Sequence, residues 1–160
     1  SPGYNDLADI ILTNMSICKE SADRKEISLN FTQIGSSKGW FDKDLMDIII
    51  RNILSNAIKF TNHNGRVLIV LKEGDKTNEN LTIKISDNGV GMPGDMLENL
   101  FSGKYIQSTY GTDNEKGTGI GLRLVYELIK ISQSSINVES TVGEGTCFTI
   151  VLSDSKTNMQ

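Results

Sequence analysis

Histidine occurs once in this 160-residue chain, as His63, and cysteine only twice, as Cys18 and Cys147. A single imidazole excludes a multi-histidine metal centre. The two thiols lie far apart, without metal-ligand spacing. No apolar run reaches the roughly 18 residues that read as a membrane-spanning helix, and the N-terminus lacks the charged-then-apolar order of a signal peptide. A reducing, cytoplasmic setting is therefore the expectation. Basic residues number 16 against 20 acidic ones, a net charge of −4. No basic block occurs, so bulk electrostatics give no support to nucleic-acid binding.

What is present suits one globular domain with a real core: 38% apolar and 22% charged residues. The domain is expected over residues 1–152, with 153–160 as a disordered C-terminal tail. Apolar spacing predicts a helix over 5–22, and alternation of Ile27, Leu29 and Phe31 predicts a strand over 26–32. The stretch "SSKGWFDKDL" reads as a turn, with Asp42 as N-cap of the next helix. That helix stops at "TNHNG", where Asn64-Gly65 signals a turn. Two strands (66–73 and 81–88), a short helix (94–101), a helix over about 119–132 and a final hairpin follow. The order α-β-α-β-β-α-α-β-β predicts an α+β, two-layer α/β sandwich, helices stacked on one face of a mixed sheet.

The second helix poses the functional question. "IIIRNILSNAIKFT" (48–61) is apolar enough for a core, yet Asn52, Asn56 and Lys59 recur at i, i+4 and i+7 and share one side. Asparagine is a poor helix former because its side chain competes for backbone hydrogen bonds. Three further segments look functional. "DNGVGMP" (87–93) places Asp87 at a strand end before Gly89 and Gly91, so backbone approaches a flat ligand while a carboxylate faces it. A carboxylate only accepts hydrogen bonds, which suits the amine of adenine and repels the carbonyl of guanine. "KGTGIGL" (116–122) runs glycine-rich backbone into a helix N-terminus, an anion-binding arrangement. It is neither a Walker motif nor the dinucleotide fingerprint. "GEGTCF" (143–148) reads as a hairpin turn whose Thr146 adds a hydroxyl. An amide oxygen is a hard neutral ligand for Mg²⁺, which binds through few protein groups plus phosphates. The polar stripe then becomes the metal-phosphate face of a nucleotide site.

In this order and at these separations, the four segments resemble the catalytic and ATP-binding domain of sensor histidine kinases, over about residues 5–152. "NILSNAIKFT" is similar to the family's N box, "DNGVGM" to its first glycine box, "KGTGIGL" to its second and "GEGT" to its last. The resemblance implies a Bergerat-type sandwich and the cofactors ATP and Mg²⁺. It implies that Asn56 coordinates Mg²⁺, that Asn52 and Lys59 face the phosphates, and that Phe60 stacks near the adenine. Asp87 would hold the adenine amine, with Gly89, Gly91 and Met92 lining the base pocket. Gly117, Thr118, Gly119, Ile120, Gly121 and Leu122 would bind phosphates, and Thr146 would add its contact. Residues 102–122 would form a mobile lid. The family's Phe-x-x-Phe box is altered here: Phe101 is kept, Lys104 takes the second position, and Tyr105 follows.

Such a kinase also needs an acceptor histidine on a separate helical hairpin. His63 lies in a polar turn, without the acceptor motif around it. The chain is therefore expected to deliver phosphate to an acceptor domain of its parent protein, with a response regulator receiver domain downstream. The isolated domain is expected to be a cytoplasmic monomer and the parent a homodimer, for which inner-membrane anchoring stays open. One alternative is an ATP-hydrolysing relative of the gyrase, heat-shock chaperone and mismatch-repair group. Those proteins keep a glutamate one turn before the Mg²⁺-binding Asn, where this chain has Asn52, and an amide is no general base. The same substitution argues against an anti-sigma-type serine kinase. A non-catalytic nucleotide-binding module is the remaining alternative.

Overall fold

The computed structural model describes residues 1–74, 80–100 and 121–153. Its elements are β1 (Gly3–Asp6), α1 (Leu7–Arg24), β2 (Ser28–Ile34), β3 (Lys38–Phe41), α2 (Lys43–Lys59), β4 (Arg66–Lys72), β5 (Thr82–Asp87), α3 (Gly94–Asn99), α4 (Gly121–Ile131), β6 (Ser135–Thr141) and β7 (Gly145–Val151). Five strands form one sheet in the order β2-β4-β5-β7-β6. The β2–β4 pair is parallel and the other pairs antiparallel, so the sheet is mixed. The α+β expectation holds. One correction concerns "SSKGWFDKDL", expected as a turn. It contains β3, which pairs antiparallel with β1 in a separate two-stranded sheet. Both strands have four residues, too few to show alternation, and the pair is tied by the Asn5 side-chain amide donating to the Phe41 carbonyl at 2.8 Å.

Period-two patterning explains the layers. Val67, Ile69 and Leu71 on β4, Ile83 and Ile85 on β5, and Phe148 and Ile150 on β7 are buried, while Leu68 and Lys84 between them are exposed. The helices cover that apolar face, with α2 packed against both α1 and α4 and against β5. Ile49, Ile50, Ile53 and Leu54 of α2 have no exposed surface. Burying each contributes about 1.5–3 kcal/mol. That outweighs the few tenths of a kcal/mol by which isoleucine lags leucine in helix propensity. Asp42 caps α2 as expected, accepting from the Asp44 and Leu45 amides at 3.0 and 3.1 Å. The Leu45 amide is the main reason its carboxyl is held below the ordinary range.

The α1–α2 seam holds a buried polar group that the helical spacing did not reveal. Asn14 donates to the Ile10 carbonyl and to Asp47, each at 2.9 Å, and accepts from Arg51 Nε at 3.2 Å. Its full satisfaction is what makes burial tolerable. The Asn64-Gly65 turn is present, with Asn64 at a φ of 67°. A Cβ on Gly65 would lie 2.2 Å from the Thr61 side chain, so this turn requires glycine.

Candidate functional site

The C-terminal end of α2, the loop after β5 and the β6–β7 hairpin meet at one place. Backbone groups join them in series. The Val90 amide donates to the Phe60 carbonyl at 3.0 Å, and the Gly143 amide donates to the Val90 carbonyl at 2.9 Å. Such close approach explains the glycines. A Cβ on Gly89 would sit 2.3 Å from the Phe60 carbonyl oxygen, and one on Gly91, at a φ of 71°, would sit 2.1 Å from that of Thr141. Gly145, at a φ of 127°, would put a Cβ 2.0 Å from the Asp87 carbonyl oxygen. Each is a steric exclusion that no side-chain rotation relieves, because the clashing atom is backbone.

Asp87 ends β5 half-buried within this junction. Its Oδ1 accepts from the Gly89 amide at 2.9 Å and the Thr146 amide at 3.3 Å. Its Oδ2 has no hydrogen-bond partner among the described residues. One oxygen therefore fixes the side chain and the other is available. Burial pushes the carboxyl above the ordinary carboxylate range, and the two amides oppose that shift only in part. An acceptor aimed by two amides and kept partly dry is chemically suited to receive a hydrogen-bond donor.

The asparagine stripe is half-buried, and its members differ. Asn52 donates its side-chain amide to the Ile48 carbonyl one turn back, at 2.8 Å. This back-bond gives a mid-helix asparagine a local partner and leaves its oxygen uncommitted to the helix. A Cβ on Gly121, at the start of α4, would be 3.0 Å from that oxygen, so the helix N-terminus stands directly opposite Asn52. The Asn56 side chain makes no hydrogen bond among the described residues. A half-buried amide left without a protein partner fits a ligand-facing role. Lys59 places its ammonium 4.8 Å from the centroid of the Phe60 ring.

Of the residues expected at the site, Asn52, Asn56, Lys59 and Phe60 lie along the C-terminal half and cap of α2, Asp87, Gly89, Gly91 and Met92 on the end of β5 and the loop after it, Thr146 on the hairpin and Gly121 at the start of α4. Leu122 follows Gly121 and packs partly buried against the core. Gly117, Thr118, Gly119 and Ile120 lie outside the described residues, as do Phe101, Lys104, Tyr105 and all of the lid expected over 102–122 except Gly121 and Leu122, which open α4. So does the tail from 154 onward.

Two residues of the surroundings escaped the sequence reading. Lys25, 3% exposed, donates its ammonium to the Ile58 and Lys59 carbonyls at 2.9 and 3.1 Å. It thereby caps the C-terminus of α2, where carbonyls lack helical partners. Ser140 joins the 87–92 loop to the hairpin by side-chain hydrogen bonds. Neither carries a signal in the sequence, since a lysine after a helix and a serine in a strand are both ordinary.

With this arrangement described, the chain compares with known proteins as follows. Residues 41–156 match the family of histidine kinase-, DNA gyrase B-, and HSP90-like ATPases, well over half the chain. The chain belongs to that ATPase family. Curated relatives within the family include histidine kinases. It is 38% identical over 109 residues to the circadian input-output histidine kinase CikA of Synechococcus elongatus, covering 68% of this chain and 14% of that protein. It is 31% identical over 147 residues to the sensor histidine kinase ZraS of Salmonella typhi, covering 91% of this chain and 30% of that one. Among solved structures, the catalytic domain of histidine kinase ThkA superposes with a TM-score of 0.80 at 20% identity, over 96% of each chain. The expected Bergerat-type sandwich and the reading as a histidine kinase catalytic ATPase domain are both borne out. The chain spans less than a third of these curated relatives. Among the described residues no helix is long and apolar enough to cross a membrane.

Proposed function

We propose that this ATPase-family domain binds Mg²⁺·ATP and delivers the γ-phosphate to a histidine on a separate acceptor domain of its parent protein. A receiver domain would take the phosphate downstream. The observation that carries the reading is Asp87, with one oxygen held by two backbone amides and the other left for a donor. The 6-amino group of adenine is such a donor. In this reading Phe60, Gly89, Gly91 and Met92 flank the base. Asn52, Lys59 and the start of α4 face the phosphates, where a helix N-terminus favours negative charge.

Among the described residues no group of three or more His, Cys, Asp or Glu side chains is placed to hold a metal ion. Mg²⁺ needs no such group when phosphates and water complete its shell, and the unpartnered Asn56 amide suits one neutral oxygen contact. When bound, the ion would neutralise phosphate charge and orient the γ-phosphoryl group. The chain's own contribution is binding and orientation. Asn52 has its amide nitrogen engaged by the helix and offers an oxygen that cannot act as a base toward water at neutral pH. That favours transfer to a protein acceptor over hydrolysis.

The test is γ-labelled ATP with the purified chain, alone and with the parent's acceptor hairpin domain. Alone, the chain should neither label itself nor turn over ATP repeatedly, and the added hairpin should become labelled on histidine. Stable labelling of His63, or fast multiple-turnover hydrolysis, would overturn the proposal.

A further inference from the structure

The hydroxyl of Ser140, half-buried near the end of β6, touches three groups from two segments. The Met92 amide donates to it at 2.8 Å, it donates to the Gly145 carbonyl at 3.1 Å, and Thr146 Oγ1 lies 2.8 Å away. A serine hydroxyl has one proton and two lone pairs. With the proton on Gly145 and one lone pair taken by Met92, the second lone pair accepts from Thr146. Its whole hydrogen-bonding capacity is used inside the protein. The Thr146 proton is committed as well, so toward any ligand that hydroxyl can only accept.

This arrangement stands one link behind Asp87. The Thr146 amide and the Gly89 amide both hold Asp87 Oδ1. Thr146 belongs to the hairpin and Gly89 to the loop that ends at Met92. Beside Asp87 itself, Ser140 is the side chain that ties both segments, through Met92 on the loop and Gly145 on the hairpin, so it helps set their separation and with it the aim of the free carboxylate oxygen.

We infer that Ser140 is a positioning residue for base recognition, fixing where Asp87 presents its free oxygen to an amino group. The inference rests on the nucleotide reading above. It also makes a demand that a merely stabilising role would not. Because Ser140 has no capacity left for a ligand, its removal acts indirectly, and the role assigned to it routes that effect through Asp87. The loss must therefore depend on the ligand's amino group.

The experiment is calorimetric titration of the whole chain with Mg²⁺·ATP and with purine riboside triphosphate, which lacks that amino group. Wild type, Ser140→Ala and Ser140→Thr are compared, with melting curves for each. Ser140→Ala should weaken ATP about three- to tenfold, the scale of one neutral hydrogen bond, and leave the analogue within about twofold. Ser140→Thr keeps the hydroxyl and suits a strand, and should restore ATP affinity. Should the alanine chain not fold, Ser140→Cys, a poor acceptor, makes the same comparison. Unchanged ATP affinity, or equal weakening of both ligands, would overturn the inference while leaving the nucleotide reading intact. A wild-type chain that binds both ligands equally would instead overturn the adenine reading, and this role with it.

Discussion

Replacing Asp87 by asparagine separates two jobs that alanine would confound. Oδ1 serves the protein, accepting from Gly89 and Thr146, while Oδ2 has no partner among the described residues. Alanine removes both oxygens and strands two backbone amides, each costing about 1–3 kcal/mol if it stays dry. The loop would loosen, and any loss of affinity would have two causes. Asparagine keeps an oxygen for the amides and swaps the outward oxygen for an NH₂ donor. Against adenine, a charge-assisted acceptor becomes a donor facing a donor, a loss of at least about 1.5–3 kcal/mol. That corresponds to roughly ten- to a hundredfold weaker ATP binding. Against a base with a carbonyl at the same position, the new donor is favourable. Asp87→Asn should therefore weaken ATP and strengthen inosine or guanosine triphosphate, measured by calorimetry on folded protein. The pH dependence follows the same logic. Burial raises the carboxyl's pKa, so the wild-type carboxylate gains its proton at a pH above the ordinary carboxylate range as solution is acidified. ATP affinity should decline through that window in wild type and not in Asp87→Asn. For stability the sign is opposite: a raised native pKa means the folded state takes up the proton first, so this group's contribution improves as pH falls through the native value. An Asp87→Asn chain that binds ATP as tightly as wild type, with no gain for the 6-oxo nucleotides, would refute the reasoning.

Asn56→Ala should abolish transfer to the acceptor domain while leaving the melting temperature nearly unchanged, because the side chain has no protein partner among the described residues; retained transfer would count against its role at the metal. Gly145→Ala brings a Cβ to 2.0 Å from the Asp87 carbonyl oxygen at a φ of 127°, and should cost at least about 2 kcal/mol of stability; chemical denaturation showing no loss would contradict the geometry. Lys25→Met keeps the stem and removes the ammonium from the Ile58 and Lys59 carbonyls. It should lower stability by about 1–3 kcal/mol, or roughly 3–10 °C for a domain of this size, read by calorimetric melting, and a chain melting at the wild-type temperature would refute the capping role.

The sequence carried the fold where periodicity runs long enough to be read. The buried alternation of β4 and the apolar mass of α2 are each seven residues or more. β1 and β3 are four residues each and hold through pairing and the contact of the tilted Tyr4 and Trp40 rings, whose centroids are 5.8 Å apart. No local pattern announces that. At the site, the asparagines and glycines stood out because they are costly where they occur: asparagine inside a helix, and glycine where backbones nearly touch. Lys25 and Ser140 cost nothing locally. Their partners lie 33, 34 and 48 positions away for the bonds to Ile58, Lys59 and Met92, and only the folded chain brings those together.

The backbone relay from Phe60 through Val90 to Gly143 has a consequence for how this pocket can drift over evolutionary time. Its hydrogen bonds use main-chain groups alone, and Val90 and Val142 beside them are 39% and 62% exposed. The side chains of Val90 and Val142 are thus nearly free to vary, provided the glycines that permit the approach persist. A pocket held this way tolerates wholesale replacement of its outer residues without a change of shape. Agreement at a TM-score of 0.80 with only 20% of residues shared is the pattern such a scaffold would leave.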